Sequence, residues 1–180
     1  AVGCTYKYLN SGPGGPAFIY IAPRLAAQVR PALSGWLGHE APFAFDLDYR
    51  PGAGIERMRV GTPPILQMAA LRASLEIFEE AGMSALVEKS RRLTGYLESL
   101  IAAIGDDRIS IVTPTDQSQR GCQLSIRVQG GDRSLHDSIV ASGVSADWRE
   151  PDVIRVAPVP LYNSFTDVFR FAEVLRSQLH

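Results

Sequence analysis

The run Cys4-Thr-Tyr-Lys-Tyr-Leu-Asn-Ser-Gly-Pro-Gly-Gly15 sets one lysine, Lys7, just ahead of the strongest turn signal in the chain, Asn10-Ser-Gly-Pro-Gly-Gly15. The Ala17-Phe-Ile-Tyr-Ile-Ala22 stretch that follows is almost continuously apolar, which predicts a buried strand of a covered sheet, ended by Pro23. A lone lysine beside a strand usually reads as a solvated surface group. An amine held rigidly near a strand end and partly desolvated is, however, what attack on an aldehyde requires, because only the neutral form is nucleophilic. A glycine turn beside it lets a phosphate-bearing ligand come close to the backbone.

Working outward from this run, residues 23–62 carry scattered glycines and prolines without sustained periodicity and predict a long irregular segment, a type that is usually functional when ordered. Pro63 and Pro64 suit the first turn of a helix in which Ile65, Met68, Leu71, Leu75 and Phe78 recur at helical spacing as far as a capping Gly82. Ser84 predicts the cap of a second helix whose Leu86, Leu93, Leu97, Leu100, Ile101 and Ile104 form one stripe up to Gly105. Ile109–Thr113, Cys122–Val128, Val144–Trp148 and Val153–Ala157 read as strands, and Arg133–Ser142 as a short helix. Ser164-Phe-Thr-Asp167 is a capping box that opens a last helix, with Val168, Phe169, Ala172, Leu175 and Leu179 on one face.

A chain of 180 residues is long enough to bury a core without staples, and its 46% apolar and 21% charged content is that of a globular protein. The net charge of −1 offers no basic excess for phosphate backbones, so nucleic acid is not an expected partner. Cys4 and Cys122, the only cysteines, lack both a disulfide framework and Cys-x-x-Cys spacing, which favours a reducing, cytoplasmic setting. No apolar run reaches the length of a membrane span, and residues 1–15 lack the pattern of a signal peptide. His136, Glu56 and the Glu79-Glu80 pair form no ligand constellation, so no metal site is assigned. The chain opens on Ala1, without Met, a few residues before the lysine, and is expected to be a piece of something longer.

The Cys4–Gly15 run resembles the kynureninase signature around its cofactor lysine. Gly35-Trp-Leu-Gly-His-Glu40, Arg59-Val-Gly-Thr-Pro-Pro-Ile-Leu66 and Ile154-Arg-Val-Ala-Pro-Val-Pro-Leu-Tyr-Asn-Ser-Phe165 are similar to the same family, in the same order. The resemblance implies an α/β protein of the pyridoxal phosphate (PLP) fold type I. Residues 1–82 then supply the end of the large cofactor-binding domain, 83–105 a connecting helix, and 106–180 a small C-terminal α+β domain. It implies PLP as cofactor, with Lys7 as its Schiff-base lysine and proton shuttle, and Tyr6 on the cofactor phosphate and close to the proton transfer. Trp36 and Thr62 are implied to reach that phosphate from the neighbouring subunit of a homodimer. Arg155 is implied to bind the substrate α-carboxylate, a task the planar guanidinium fork fills better than a point charge.

His39 and Gly61 are carried over as substrate-side residues. Read alone, His39 is an ordinary structural histidine, Trp36 a core residue, and Tyr6 a strand tyrosine. Gly61-Thr62 looks like the bacterial type, which implies L-kynurenine rather than 3-hydroxykynurenine. The implied reaction is hydrolysis of L-kynurenine to anthranilate and L-alanine, within tryptophan catabolism and NAD biosynthesis. The similarity corresponds to the later part of the family sequence. The aspartate at the pyridine nitrogen, the aromatic stacked on the ring and part of the phosphate cup are implied to lie upstream of Lys7. Two rivals remain: a related class V aminotransferase or cysteine desulfurase, against which Tyr6 argues because those enzymes usually have histidine there, and an inactive fragment or self-association module.

Overall fold

The computed structural model describes residues 1–179 and falls into two compact units, Ala1–Ile77 and a second from Phe78 on. In the first unit, β1 (Val2–Cys4) and β2 (Ala17–Ile19) pair antiparallel, with Val2 opposite Ile19 and Cys4 opposite Ala17. The expected burial of the apolar run is corrected here, because Phe18, Ile19 and Tyr20 are exposed and β2 has β1 as its single partner among the described residues. A strand in a two-stranded ribbon has nothing across its faces, whatever its apolar content. A four-residue helix, α1 (Pro23–Ala26), follows, and residues up to 64 are irregular with short 3-10 turns at Trp36–Gly38, Pro42–Ala44 and Gly54–Met58.

Helix α2 (Ile65–Ala81) starts one turn residue later than the prolines suggest, since the Pro64 carbonyl accepts the first helical bond from the Met68 amide, 2.9 Å away. Helix α3 (Met83–Ile104) is capped by Gly82, not by Ser84. Gly82 has φ of 75°, a conformation other residues resist, and turns the chain between two helices one residue apart.

The second unit is a four-stranded antiparallel sheet in the order β3-β4-β6-β5, built from β3 (Ile109–Ile111), β4 (Leu124–Val128), β5 (Asp147–Arg149) and β6 (Val153–Val156). Helices α3, α4 (Arg133–Ala141) and α5 (Phe165–Gln178) share its core: Leu93 and Leu97, Ile139, and Leu175 join Leu124, Ile126 and Ile154. Strand alternation sends the remaining side chains of β4, β5 and β6, including Ser125, Asp147 and Arg155, to the opposite face. The capping box is present, with the Asp167 carboxylate accepting from the Ser164 amide at 2.8 Å and the Ser164 hydroxyl accepting from the Asp167 amide at 3.2 Å. The face of α5 differs from the expectation at one position: Phe171, with Val168, Ala172 and Leu175, is buried, whereas Phe169 is exposed.

Beneath α3, Arg120 is almost wholly buried and donates twice to the Glu98 carboxylate, at 2.5 and 2.6 Å, and to the Pro114 carbonyl at 3.0 Å. That clasp ties the irregular 112–123 segment to the helix.

Candidate active site

Lys7 lies in the loop joining β1 to β2, and hydroxyl groups keep this loop in shape. Buried Thr5 and Ser11 join through their hydroxyls at 2.8 Å, and Thr5 Oγ1 also donates to the Pro16 carbonyl at 2.5 Å. The Ser11 amide donates to the Thr5 carbonyl at 3.1 Å and the Asn10 amide to the Lys7 carbonyl at 3.0 Å, so Lys7 opens a closed turn that ends on Asn10 with φ of 54°. From α2, buried Ser74 donates to the Leu9 carbonyl at 2.5 Å. Lys7 and Tyr6 themselves are exposed, the ammonium lying 5.5 Å from the Tyr6 ring centroid. The loop is therefore rigid where it is buried and open where it presents its amine and phenol.

The Trp36 and Gly61–Thr62 segments come together through a glycine. A Cβ added at Gly35 would fall 1.8 Å from the Val60 carbonyl oxygen, so the two backbones can touch only because residue 35 has no side chain. This contact lays Trp36 beside Gly61, where an added Cβ would sit 3.9 Å from the indole Nε1. Trp36 is half-exposed and packs edge-on against Phe43 at 5.6 Å, so it is not a core residue. Around it, a hollow of about 470 Å³ is lined by Ser34, Trp36, His39, Phe45, Leu47 and Tyr49 among others.

His39 works inside this segment. Its Nδ1 accepts the Ala41 amide proton at 2.9 Å, which leaves the proton of the neutral ring on Nε2 to be donated to the Asp48 carbonyl at 3.1 Å. Both ring nitrogens thus tie the 39–48 loop. Tyr49 packs on the imidazole and donates its hydroxyl to the Gly38 carbonyl at 3.1 Å, and Arg57 draws in the carbonyls of Gly52 and Ala27 at 3.1 and 2.9 Å. By contrast, no protein hydrogen bond engages Lys7 Nζ, the Tyr6 hydroxyl, Trp36 Nε1 or the Thr62 hydroxyl among the described residues. The Lys7 amine and the Tyr6 hydroxyl share the β1–β2 loop, whereas the Trp36 indole N–H and the Thr62 hydroxyl belong to the segments that meet at Gly35 and Val60.

Arg155 belongs to the second unit. It sits on β6 directly opposite Asp147 of β5 and Ser125 of β4, on the face turned away from the core. Its Nε donates to Asp147 Oδ2 at 3.0 Å, and a second guanidinium nitrogen, Nη2, donates to the same oxygen. Arg149 also reaches that oxygen, at 3.1 Å. Hydrogen bonding from Arg155, then its charge and that of Arg149, holds the Asp147 carboxyl below the usual carboxylate range.

Thr5, Ser11, Ser74 and Asp147 were not among the residues singled out from the sequence. Asp147 was within reach, since it stands in a strand that can pair with the one carrying Arg155. The three hydroxyls carry no pattern that sets them apart from ordinary turn and helix residues.

The kynureninase C-terminal domain model matches residues 86–175. The chain belongs to the kynureninase family. A kynureninase of Xanthomonas oryzae pv. oryzae strain PXO99A is 51% identical over 176 residues, which is 95% of this chain and 42% of that protein. A kynureninase of Xanthomonas euvesicatoria pv. vesicatoria strain 85-10 is 49% identical over 178 residues, 96% of this chain and 42% of its own length. The chain therefore spans about two fifths of the kynureninases it matches.

Among solved structures, the apo cysteine desulfurase from Thermococcus onnurineus NA1 superposes with a TM-score of 0.73 at 19% identity, over 92% of this chain and 44% of that one. A cysteine desulfurase from Escherichia coli gives 0.72 at 19% identity, over 92% and 43%. At that identity the likeness concerns the fold, and the fold is the expected one, α/β of PLP fold type I.

Proposed function

We propose that this chain is the later part of an enzyme that hydrolyses L-kynurenine to anthranilate and L-alanine with pyridoxal phosphate. The observation that carries this reading is identity of about half, 51% in one case, to kynureninases across 95% of the chain. The open donors in the first unit fit the cofactor: the Lys7 amine for its aldehyde, and the Tyr6 hydroxyl, Trp36 indole and Thr62 hydroxyl for its phosphate. The last two act across the interface of a homodimer. Bound there, the cofactor supplies an electron sink.

The chain's own residues do the rest. Arg155 binds the substrate α-carboxylate, and the amine of Lys7 removes the Cα proton and later returns one. Tyr6 assists that proton transfer. Water adds to the γ-carbonyl, the Cβ–Cγ bond breaks toward Cβ, and Cβ takes up a proton, which balances kynurenine plus water against anthranilate plus alanine. His39, its nitrogens engaged within its own loop, shapes the substrate side through its ring. Gly61, with no side chain beside Trp36, leaves room there, and the preference is for kynurenine over its 3-hydroxy form. In domain terms, residues 1–82 close the large domain, 83–105 connect, and 106–180 form the small domain. The setting is cytoplasmic, in tryptophan catabolism leading to NAD biosynthesis.

The test is the full-length protein with pyridoxal phosphate, followed by anthranilate fluorescence. Kynurenine should be cleaved, Lys7→Ala should abolish cleavage, and borohydride reduction should fix the cofactor to Lys7. Turnover of cysteine with none of kynurenine overturns the reading in favour of a desulfurase. A second reading, a self-associating module, draws on the exposed Ile65, Leu66 and Met68 of α2. It predicts that the 180-residue chain alone sediments as an oligomer, and that Leu66→Glu returns it to monomer.

A further inference from the structure

We infer that Asp147 is the positioning residue that fixes Arg155 for carboxylate recognition, by taking one edge of the guanidinium and leaving the other open. The inference rests on the proposed role of Arg155. A guanidinium offers two bidentate edges, Nε with one terminal nitrogen and the two terminal nitrogens together. Asp147 Oδ2 accepts from Nε, at 3.0 Å, and from Nη2, and so occupies the first edge. The terminal edge, with Nη1, meets no protein acceptor among the described residues, and the side chain is 29% exposed. That is the edge on which a substrate carboxylate can be received in parallel hydrogen bonds.

The strand register makes the arrangement rigid. Asp147 and Arg155 are directly paired across β5 and β6, so their Cβ atoms leave the same face side by side, with β4 flanking through Ser125. Arg149 shares the Asp147 carboxylate at 3.1 Å, which leaves one carboxylate between two guanidiniums and a net positive charge for an incoming anion. An exposed ion pair of this kind adds little stability. Its effect is on geometry: it holds a long flexible side chain in one orientation before the substrate arrives, and this lowers the ordering entropy lost on binding.

The test uses the full-length protein, with Asp147→Ala, Asp147→Asn and Arg155→Ala compared in kynurenine turnover and in competitive inhibition by L-alanine and by the decarboxylated amine of kynurenine. Asp147→Ala should raise KM and the L-alanine inhibition constant roughly tenfold with kcat within about threefold, the pattern of lost uniform binding. Affinity for the amine, which has no carboxylate, should not change. Asp147→Asn keeps an acceptor oxygen and should recover most of the loss.

Unchanged KM and inhibition in Asp147→Ala overturn the inference, as does an equal weakening of acid and amine, which marks a general structural role. Arg155→Ala with a wild-type KM instead overturns the role of Arg155, and with it the inference. Full-length wild type without kynurenine turnover overturns the functional reading itself.

Discussion

The two units differ in what they bury. In the second, the interior is hydrophobic: Leu93, Leu124, Ile126, Ile139, Ile154 and Leu175 are fully shielded. In the first, among the described residues, the buried positions are Thr5, Ser11, Gly38, Gly52 and Ser74, and no hydrophobic side chain is among them. One unit is shaped by removing apolar surface from water, the other by satisfying hydroxyls and carbonyls along an irregular backbone. The difference teaches that an open, donor-rich surface such as the Lys7 loop can be kept in shape by short polar clasps, with the apolar core elsewhere in the chain.

Truncating the core of the second unit should show the contrast most strongly. Leu93→Ala or Ile154→Ala should cost about 3 kcal/mol in urea unfolding followed by Trp148 fluorescence. Hydrogen exchange at the Ser11 amide should be unaffected, and a parallel loss there would erase the distinction. Next in size, Glu98→Gln leaves the Arg120 guanidinium buried without its counter-charge and should cost about 2–3 kcal/mol in the same assay. In the first unit, Thr5→Val removes a hydroxyl from Ser11 and from the Pro16 carbonyl and should cost about 1–2 kcal/mol. The change should appear as faster exchange of the Ser11 and Asn10 amides while Trp148 unfolding stays put.

A smaller effect concerns pH. Hydrogen bonds from the Ser164 amide and hydroxyl hold the Asp167 carboxyl below its ordinary 3.8. A depressed pKa in the folded state means the contribution is complete above the unfolded value and is lost as pH falls through the lowered one. The first turn of α5 should therefore fray on acidification below about pH 4 by amide NMR, and Asp167→Asn should remove that dependence. The least visible effect is chemical. Burial raises the Cys122 thiol pKa, so alkylation at neutral pH should label half-buried Cys4 first.

Much of the second unit was legible in the sequence because period and burial coincide there. The alternation of 122–128 became β4, the α3 stripe became core at Leu86, Leu93, Leu97 and Ile101, and Ser164 to Asp167 fixed the start of α5. Phe169 misled because it lies beside the buried stripe on a helix whose inward phenylalanine is two residues on. The first unit was legible in its family more than in its shape. The Lys7 and Trp36 segments stood out through family resemblance, but the β2 run read as buried from an apolar content that only a covering layer would have acted on. The clasp of Thr5 with Ser11, the Gly35 contact with Val60 and the engagement of both His39 nitrogens are tertiary facts, made by single atoms meeting across turns, and no periodicity announces them.

Arg155 shares β6 with Ile154 and Val156, which point the opposite way into the core. Because a strand repeats every two residues, a shift of β6 by a single position exchanges the two sets, burying a guanidinium and exposing both apolar neighbours. The arginine-bearing side of the sheet and its hydrophobic side are thus one message written in alternate letters. An insertion or deletion in this strand cannot move the arginine gradually; it must leave the reading frame of the sheet intact or lose the arginine and the core together.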